Sequence, residues 1–203
     1  MTAAGAIRLV WASRNAGKLA EVRALLAGVA DVALWEGAAA FAFPAEDGAT
    51  YEENAFLKAQ AVAAAAGLPA LADDSGLEVD ALGGRPGVHS SRYAGPACDP
   101  AANNARLLEE LANIPETARG ARFVCVAALA APDGRRWSAR GECRGRIARV
   151  PSGGAGFGYD PLFIPDGYAA TFAALPAAEK NRISHRARAF RALGVYIPEL
   201  ARP

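Results

Sequence analysis

Arg122-Phe123-Val124-Cys125-Val126-Ala127-Ala128-Leu129-Ala130-Ala131 runs into Pro132-Asp133-Gly134-Arg135, and Trp137 to Val150 follows. The first stretch is apolar and reads as a strand. Pro132 to Arg135 is a turn signal, and the third stretch reads as a second strand, bent near Gly141 and Gly145. Strands joined by so short a turn pair antiparallel, because a parallel crossover needs a dozen or more residues. Toward the N-terminus the pattern changes. Ile7–Ala12 predicts a strand, Ser13–Lys18 a polar loop, and Leu19–Leu26 a helix with Leu19, Val22, Leu25 and Leu26 on one side. Thr50 and Glu53 form a capping box, which opens a helix running to about Ala66, where Gly67 stops it. Asp99-Pro100 is an N-cap followed by proline at the first helical position, for a helix to about Leu111. Ser152–Gly158 is a glycine-rich loop, and Ser184 caps a last helix from His185 to about Leu193. Helix–strand alternation plus a hairpin predicts an α/β fold: a mixed central sheet flanked by helices.

The 203 residues suit one domain, 1–203, with a sizeable core. A formal net charge of +1 gives no broad footprint for a nucleic acid polymer or a membrane surface, so any basic site must be local. Cys98, Cys125 and Cys143 fit no zinc or disulfide pattern, which points to a reducing cytoplasm. No stretch is long and apolar enough to span a bilayer, and Met1 to Ile7 lacks the pattern of a signal peptide.

Six features can carry chemistry, each with a plainer alternative. Leu71-Ala72-Asp73-Asp74-Ser75-Gly76 reads as a buried strand ended by a Ser-Gly turn, with two acids at its C-terminal edge. Mg²⁺ would relieve their repulsion; equally, one aspartate caps turn N–H groups. Ser13-Arg14-Asn15-Ala16-Gly17-Lys18 lies between strand and helix, where backbone N–H groups and a lysine suit phosphate; it also fits an ordinary loop. Glu46 is a second metal ligand if its loop reaches Asp74, and a solvated acid otherwise. Lys58 either snorkels among alanines or points at phosphate. In Gly156-Phe157-Gly158-Tyr159-Asp160, the aromatic rings offer stacking faces and Asp160 an acceptor for a ring N–H; alternatively the rings anchor the loop in the core. Lys180 and Arg186 stand beside the start of the last helix, the end that disfavours cations unless an anion or a ligand carbonyl is there; alternatively they belong to a charged surface helix cap.

Taken together, these segments resemble the inosine triphosphate pyrophosphatase family. The carrying residues are Ser13-x-Asn15-x-x-Lys18, Thr50-x-Glu52-Glu53-Asn54-Ala55-x-x-Lys58-Ala59, Ala72-Asp73-Asp74-Ser75-Gly76-Leu77, Gly83-Gly84-x-Pro86-Gly87-Val88, Ser90-x-Arg92-Tyr93-Ala94-Gly95, Gly156-Phe157-Gly158-Tyr159-Asp160-Pro161 and Glu179-Lys180-Asn181-x-Ile183-Ser184-His185-Arg186. The resemblance covers almost the whole chain, in the family's order. It implies two lobes with a deep cleft between them, a homodimer and dependence on Mg²⁺. It implies cleavage of ITP, dITP or XTP between the α and β phosphates, giving a monophosphate and pyrophosphate. Asp74 resembles the general base and a metal ligand, and Glu46 the other metal-binding acid. Ser13, Arg14, Asn15, Ala16, Gly17, Lys18, Lys58 and Ser75 resemble the triphosphate site. Phe157, Gly158, Tyr159, Asp160, Lys180, His185 and Arg186 resemble the nucleotide and base pocket. Donors from His185 or Arg186 facing a 6-oxo group would set donor against donor for adenine. Two departures show: Ala174 stands where similar proteins have glutamate, and His89 where they have an aromatic residue.

Overall fold

A computed structural model describes residues 7–202. The reading of the N-terminal segment as free of a signal peptide lies outside them for Met1–Ala6. Six strands form one sheet in the order β2-β1-β3-β4-β5-β6. The strands are β1 (Ile7–Trp11), β2 (Ala30–Leu34), β3 (Ala70–Val79), β4 (Gly120–Ala130), β5 (Arg136–Ile147) and β6 (Phe163–Pro165). The helices are α1 (Ala16–Leu25), α2 (Tyr51–Ala66), α3 (Pro100–Glu110), α4 (Ala177–Ile183) and α5 (His185–Gly194).

The sheet is mixed for the reason the hairpin gives. Helical crossovers bring β1 and β2 together in parallel, with Ile7 opposite Ala30 and Trp11 opposite Leu34. β1 and β3 are also parallel, with Val10 opposite Ala70. β4 and β5 are sheet neighbours joined by a tight turn, in which Ala131 N donates to Arg135 O at 2.9 Å. β6 then pairs antiparallel with the end of β5, Gly145 opposite Pro165. A Cβ on Gly145 would lie 2.2 Å from the Ile164 carbonyl, so close approach of β6 is what this glycine permits.

The helix signals hold at both ends of α2. Thr50 and Glu53 form the capping box, and Gly67 adopts the left-handed conformation at φ +63°. Asp99 caps α3 with Pro100 behind it. Three expectations are corrected. Ser75-Gly76 does not end β3, because Leu77 and Val79 continue the strand and are wholly buried. Asp73 and Asp74 therefore sit in mid-strand. Lys180 is not at a helix start; it lies in the last turn of α4, the end that favours a cation. β5 ends at Ile147, three residues before Val150.

Contacts divide the chain into two compact units. The first runs up to Asp74, through Cys125–Gly141 and from Arg186 onward; the second is Ser75–Val124 with Glu142–His185. Each has its own core. Leu9, Trp11, Val22, Leu71, Leu129 and Phe190 are central to the first. Leu77, Leu107, Phe123, Phe163 and Phe172 are central to the second.

Candidate active site

The first unit gathers two charge networks on β3. Successive strand residues point to opposite faces, so Asp73 and Asp74 meet different neighbours. Asp74, 5% exposed, faces α2. Asn54 Nδ2 donates to its Oδ2 at 3.0 Å, and Lys58 Nζ lies 3.8 Å from its Oδ1. Lys58 also donates to the Asp73 carbonyl at 2.7 Å and bonds Glu46 Oε1 closely. Glu46 and Asp74 thus converge on one ammonium. Asn54 fixes the same loop from below, its Oδ1 accepting Gly48 N–H at 2.9 Å. Asn54 and Lys58 are four residues apart on one helical face, a spacing legible in the sequence, yet Asn54 carried no role there.

Burial pushes the Asp74 carboxyl above its ordinary range, and Glu46 adds to this; Lys58, Lys18 and Asn54 oppose it. Burial works against the Lys58 charge, but Asp74, Glu46 and Asp73 more than offset it and hold its pKa up. Two carboxylates sharing one lysine leave a surplus of negative charge. Among the described residues no cluster of three or more His, Cys, Asp or Glu could hold a metal. Two carboxylates still fit Mg²⁺, which binds through one or two of them plus waters and substrate phosphates.

Asp73 holds the second network. Its Oδ1 accepts from Lys18 Nζ at 2.9 Å, and its Oδ2 from Arg186 Nη2 at 3.0 Å and Nε at 3.3 Å. Cys125 Sγ stands 3.7 Å from the same oxygen. Arg186 Nη1 reaches Glu21 Oε2 at 2.6 Å. The anions that answer Arg186 at the start of α5 are therefore Asp73 and Glu21. Burial opposes its charge, and Asp73, Cys125 and Glu21 together hold the guanidinium firmly protonated. Sequence reasoning names Asp73 only as one of two acids that Mg²⁺ would relieve, and gives Glu21 no role.

The Ser13–Lys18 loop is shorter than expected, since α1 begins at Ala16. Ser13 Oγ accepts from Asn15 N–H at 3.1 Å, and Asn15 Oδ1 caps Lys18 N–H at 3.0 Å. Asn15, Ala16 and Gly17 are exposed at the helix start. Arg14 turns aside: its Nη2 donates to Phe41 O at 2.8 Å, its Nε to Ala38 O at 3.3 Å, and its guanidinium covers the Phe43 ring.

Ser75 belongs to the second unit and is half-buried. That unit also holds the remaining candidates. Lys180 Nζ meets Asp160 Oδ2 at 2.5 Å and lies 5.0 Å from the Phe157 ring centre. Phe157 N–H donates to the same Asp160 oxygen at 2.9 Å. Gly156 makes this possible: at φ +75°, a Cβ there would sit 2.1 Å from Asp160 Oδ2. Tyr159 is buried and donates to Ser90 O at 2.9 Å, so its ring anchors the loop in the core. Gly158 is half-buried. His185 stacks on Phe123, with ring centres 4.6 Å apart and 12° between planes.

Fold and side chains together define an α/β protein whose carboxylates and lysines suit a polyanion. The chain belongs to the Ham1 family, whose model matches residues 9–196. A Nocardia farcinica protein named dITP/XTP pyrophosphatase is 52% identical over 198 residues, 96% of this chain and 95% of that one. A Streptomyces avermitilis protein of the same name is 50% identical over 95% of this chain and 98% of its own. The solved Staphylococcus aureus Ham1 protein superposes with a TM-score of 0.82 at 38% identity, over 95% of this chain and 98% of that one. No helix among the described residues is long and apolar enough to cross a membrane.

Proposed function

We propose that this protein hydrolyses the deaminated purine nucleoside triphosphates ITP, dITP and XTP to the monophosphate and pyrophosphate, with Mg²⁺, as a cytoplasmic homodimer. The observation that carries the reading is the meeting of Glu46 and Asp74 at Lys58, with Lys18 on the adjacent Asp73. The names of relatives about half identical to this chain support it.

A nucleoside triphosphate bears roughly four negative charges, so neutralisation is the main task. Glu46 and Asp74 would hold Mg²⁺, which when bound supplies positive charge against phosphate oxygens and acidifies nearby water. Lys18 and Lys58 take up further phosphate charge. The exposed N–H groups that open α1 suit the same anion. Asp74 accepts the proton of the attacking water. The water oxygen bonds to the α-phosphorus, the bond to the bridging oxygen breaks, and pyrophosphate leaves. Arg186 acts from its place between Asp73 and Glu21, holding Asp73 against Lys18. Phe157, Asp160, Lys180 and His185 in the second unit are the base-directed set.

Incubation with dITP and Mg²⁺ followed by product identification tests this. Pyrophosphate and dIMP are expected. Orthophosphate and dIDP would overturn the cleavage assignment, and tight binding without Mg²⁺-dependent turnover would make the protein a nucleotide sensor.

A further inference from the structure

We propose that Asn104 on α3 is a positioning residue for the Gly156–Asp160 loop and sets nucleotide affinity without entering the chemistry. This rests on reading that loop as base-directed. Asn104 Nδ2 donates to the Gly158 carbonyl at 3.0 Å. Gly158 is left-handed, at φ +63°, a backbone state the loop must be held in. The other end of the amide, Oδ1, is buried and finds no hydrogen-bond partner among the described residues. Flipping the amide would turn that oxygen against the Gly158 carbonyl, so the contact itself fixes the orientation. A leucine would fill the space with no orphaned acceptor. The amide at this position therefore carries a cost whose visible return is its bond to the loop.

The neighbouring contacts make a bracket. Asn103 Nδ2 donates to Ser91 O at 2.8 Å, and its Oδ1 accepts from Ala94 N–H at 2.6 Å. Tyr159 Oη reaches Ser90 O at 2.9 Å. Through these bonds α3 and the Gly87–Arg92 turn hold the loop at Gly158 and Tyr159, while Asp160 ties its other side to Phe157 N–H and Lys180. The hydrogen bond from Asn104 meets the loop at a main-chain carbonyl. That contact sets where the Phe157 ring stands and leaves proton transfer alone.

The test measures amide hydrogen exchange at Phe157–Asp160 and steady-state kinetics with dITP, for the wild type and Asn104→Asp. The variant keeps the shape but sets an acceptor against an acceptor. Loop exchange should rise about tenfold, KM should rise about 5- to 20-fold, and kcat should stay within about twofold. Asn104→Leu keeps the volume and gives the same readouts should the aspartate variant not fold. Unchanged loop exchange, an unchanged KM, or a fall in kcat matching the rise in KM overturns the proposal. So does a lowered melting temperature with faster exchange across β4 and no change in KM. If wild type releases no pyrophosphate from dITP, the proposed hydrolysis falls, and the exchange arm alone decides whether Asn104 holds the loop.

Discussion

Asp73 and Asp74 are adjacent on β3 and serve separate networks, so their removal should differ in kind. Asp74→Asn keeps an acceptor for Asn54 and loses the base. Turnover of dITP should fall by about 10²–10⁴-fold in a pyrophosphate-release assay, with the melting temperature at or above that of wild type. The sign follows from the carboxyl's pKa, which folding raises from its ordinary 3.8, chiefly by burial. Its contribution to stability is complete below pH 3.8 and is lost as pH climbs through the raised value. A carboxyl-carbon NMR titration of metal-free protein should place Asp74 above 3.8, and added Mg²⁺ should bring it down. Asp73→Asn instead leaves Lys18 and buried Arg186 against a neutral amide. It should cost about 3 kcal/mol in urea unfolding, because removing one partner strands a buried charge. The sequence shows the acid pair but not this division of labour. Which face each side chain meets depends on α1, α2 and α5 packing against the strand.

Elements whose limits are set by their own few residues are legible in the amino-acid order. α2 is the clearest: Thr50 and Glu53 bond across three residues, and Gly67 needs only its own left-handed backbone. Thr50→Ala should cost about 1 kcal/mol by urea denaturation and leave the fold unchanged. Elements defined by a partner are hidden. β2 is short and stands at the end of the strand order beside β1, and α4 has seven residues and no side-chain hydrogen bond at its N-cap. Ser75-Gly76 carries a turn signal that pairing overrides, since strand neighbours and buried Leu77 and Val79 keep the chain extended. Arg119 is hidden in the same way. It is 2% exposed and donates to the Leu111, Ile147 and Ala148 carbonyls, tying the end of α3 to the end of β5. Arg119→Met removes all three bonds and should cost about 2–4 kcal/mol, read as a lower urea midpoint at constant slope.

Across the whole molecule, the Asp73 and Asp74 networks belong to the first unit, and the Phe157 loop, Lys180 and His185 to the second. Hydrolysis and base choice should therefore separate by mutation. His185→Phe keeps the stack on Phe123 and removes the ring nitrogens. The dITP-to-dATP ratio of kcat/KM should fall about tenfold, with pyrophosphate still the product. Asp74→Asn should lower both substrates alike; a substrate panel on the two variants checks this. The amino-acid order by itself determined the hairpin, the capped helices, the mixed α/β class and the family resemblance, because each rests on short-range chemistry or on segments in fixed order. Tertiary structure alone decided that Glu46 meets Lys58 beside Asp74, and that Arg186 closes on Asp73 across 113 positions of chain. Such pairings depend on how elements pack once loops close, and no local rule of turn, cap or periodicity encodes that.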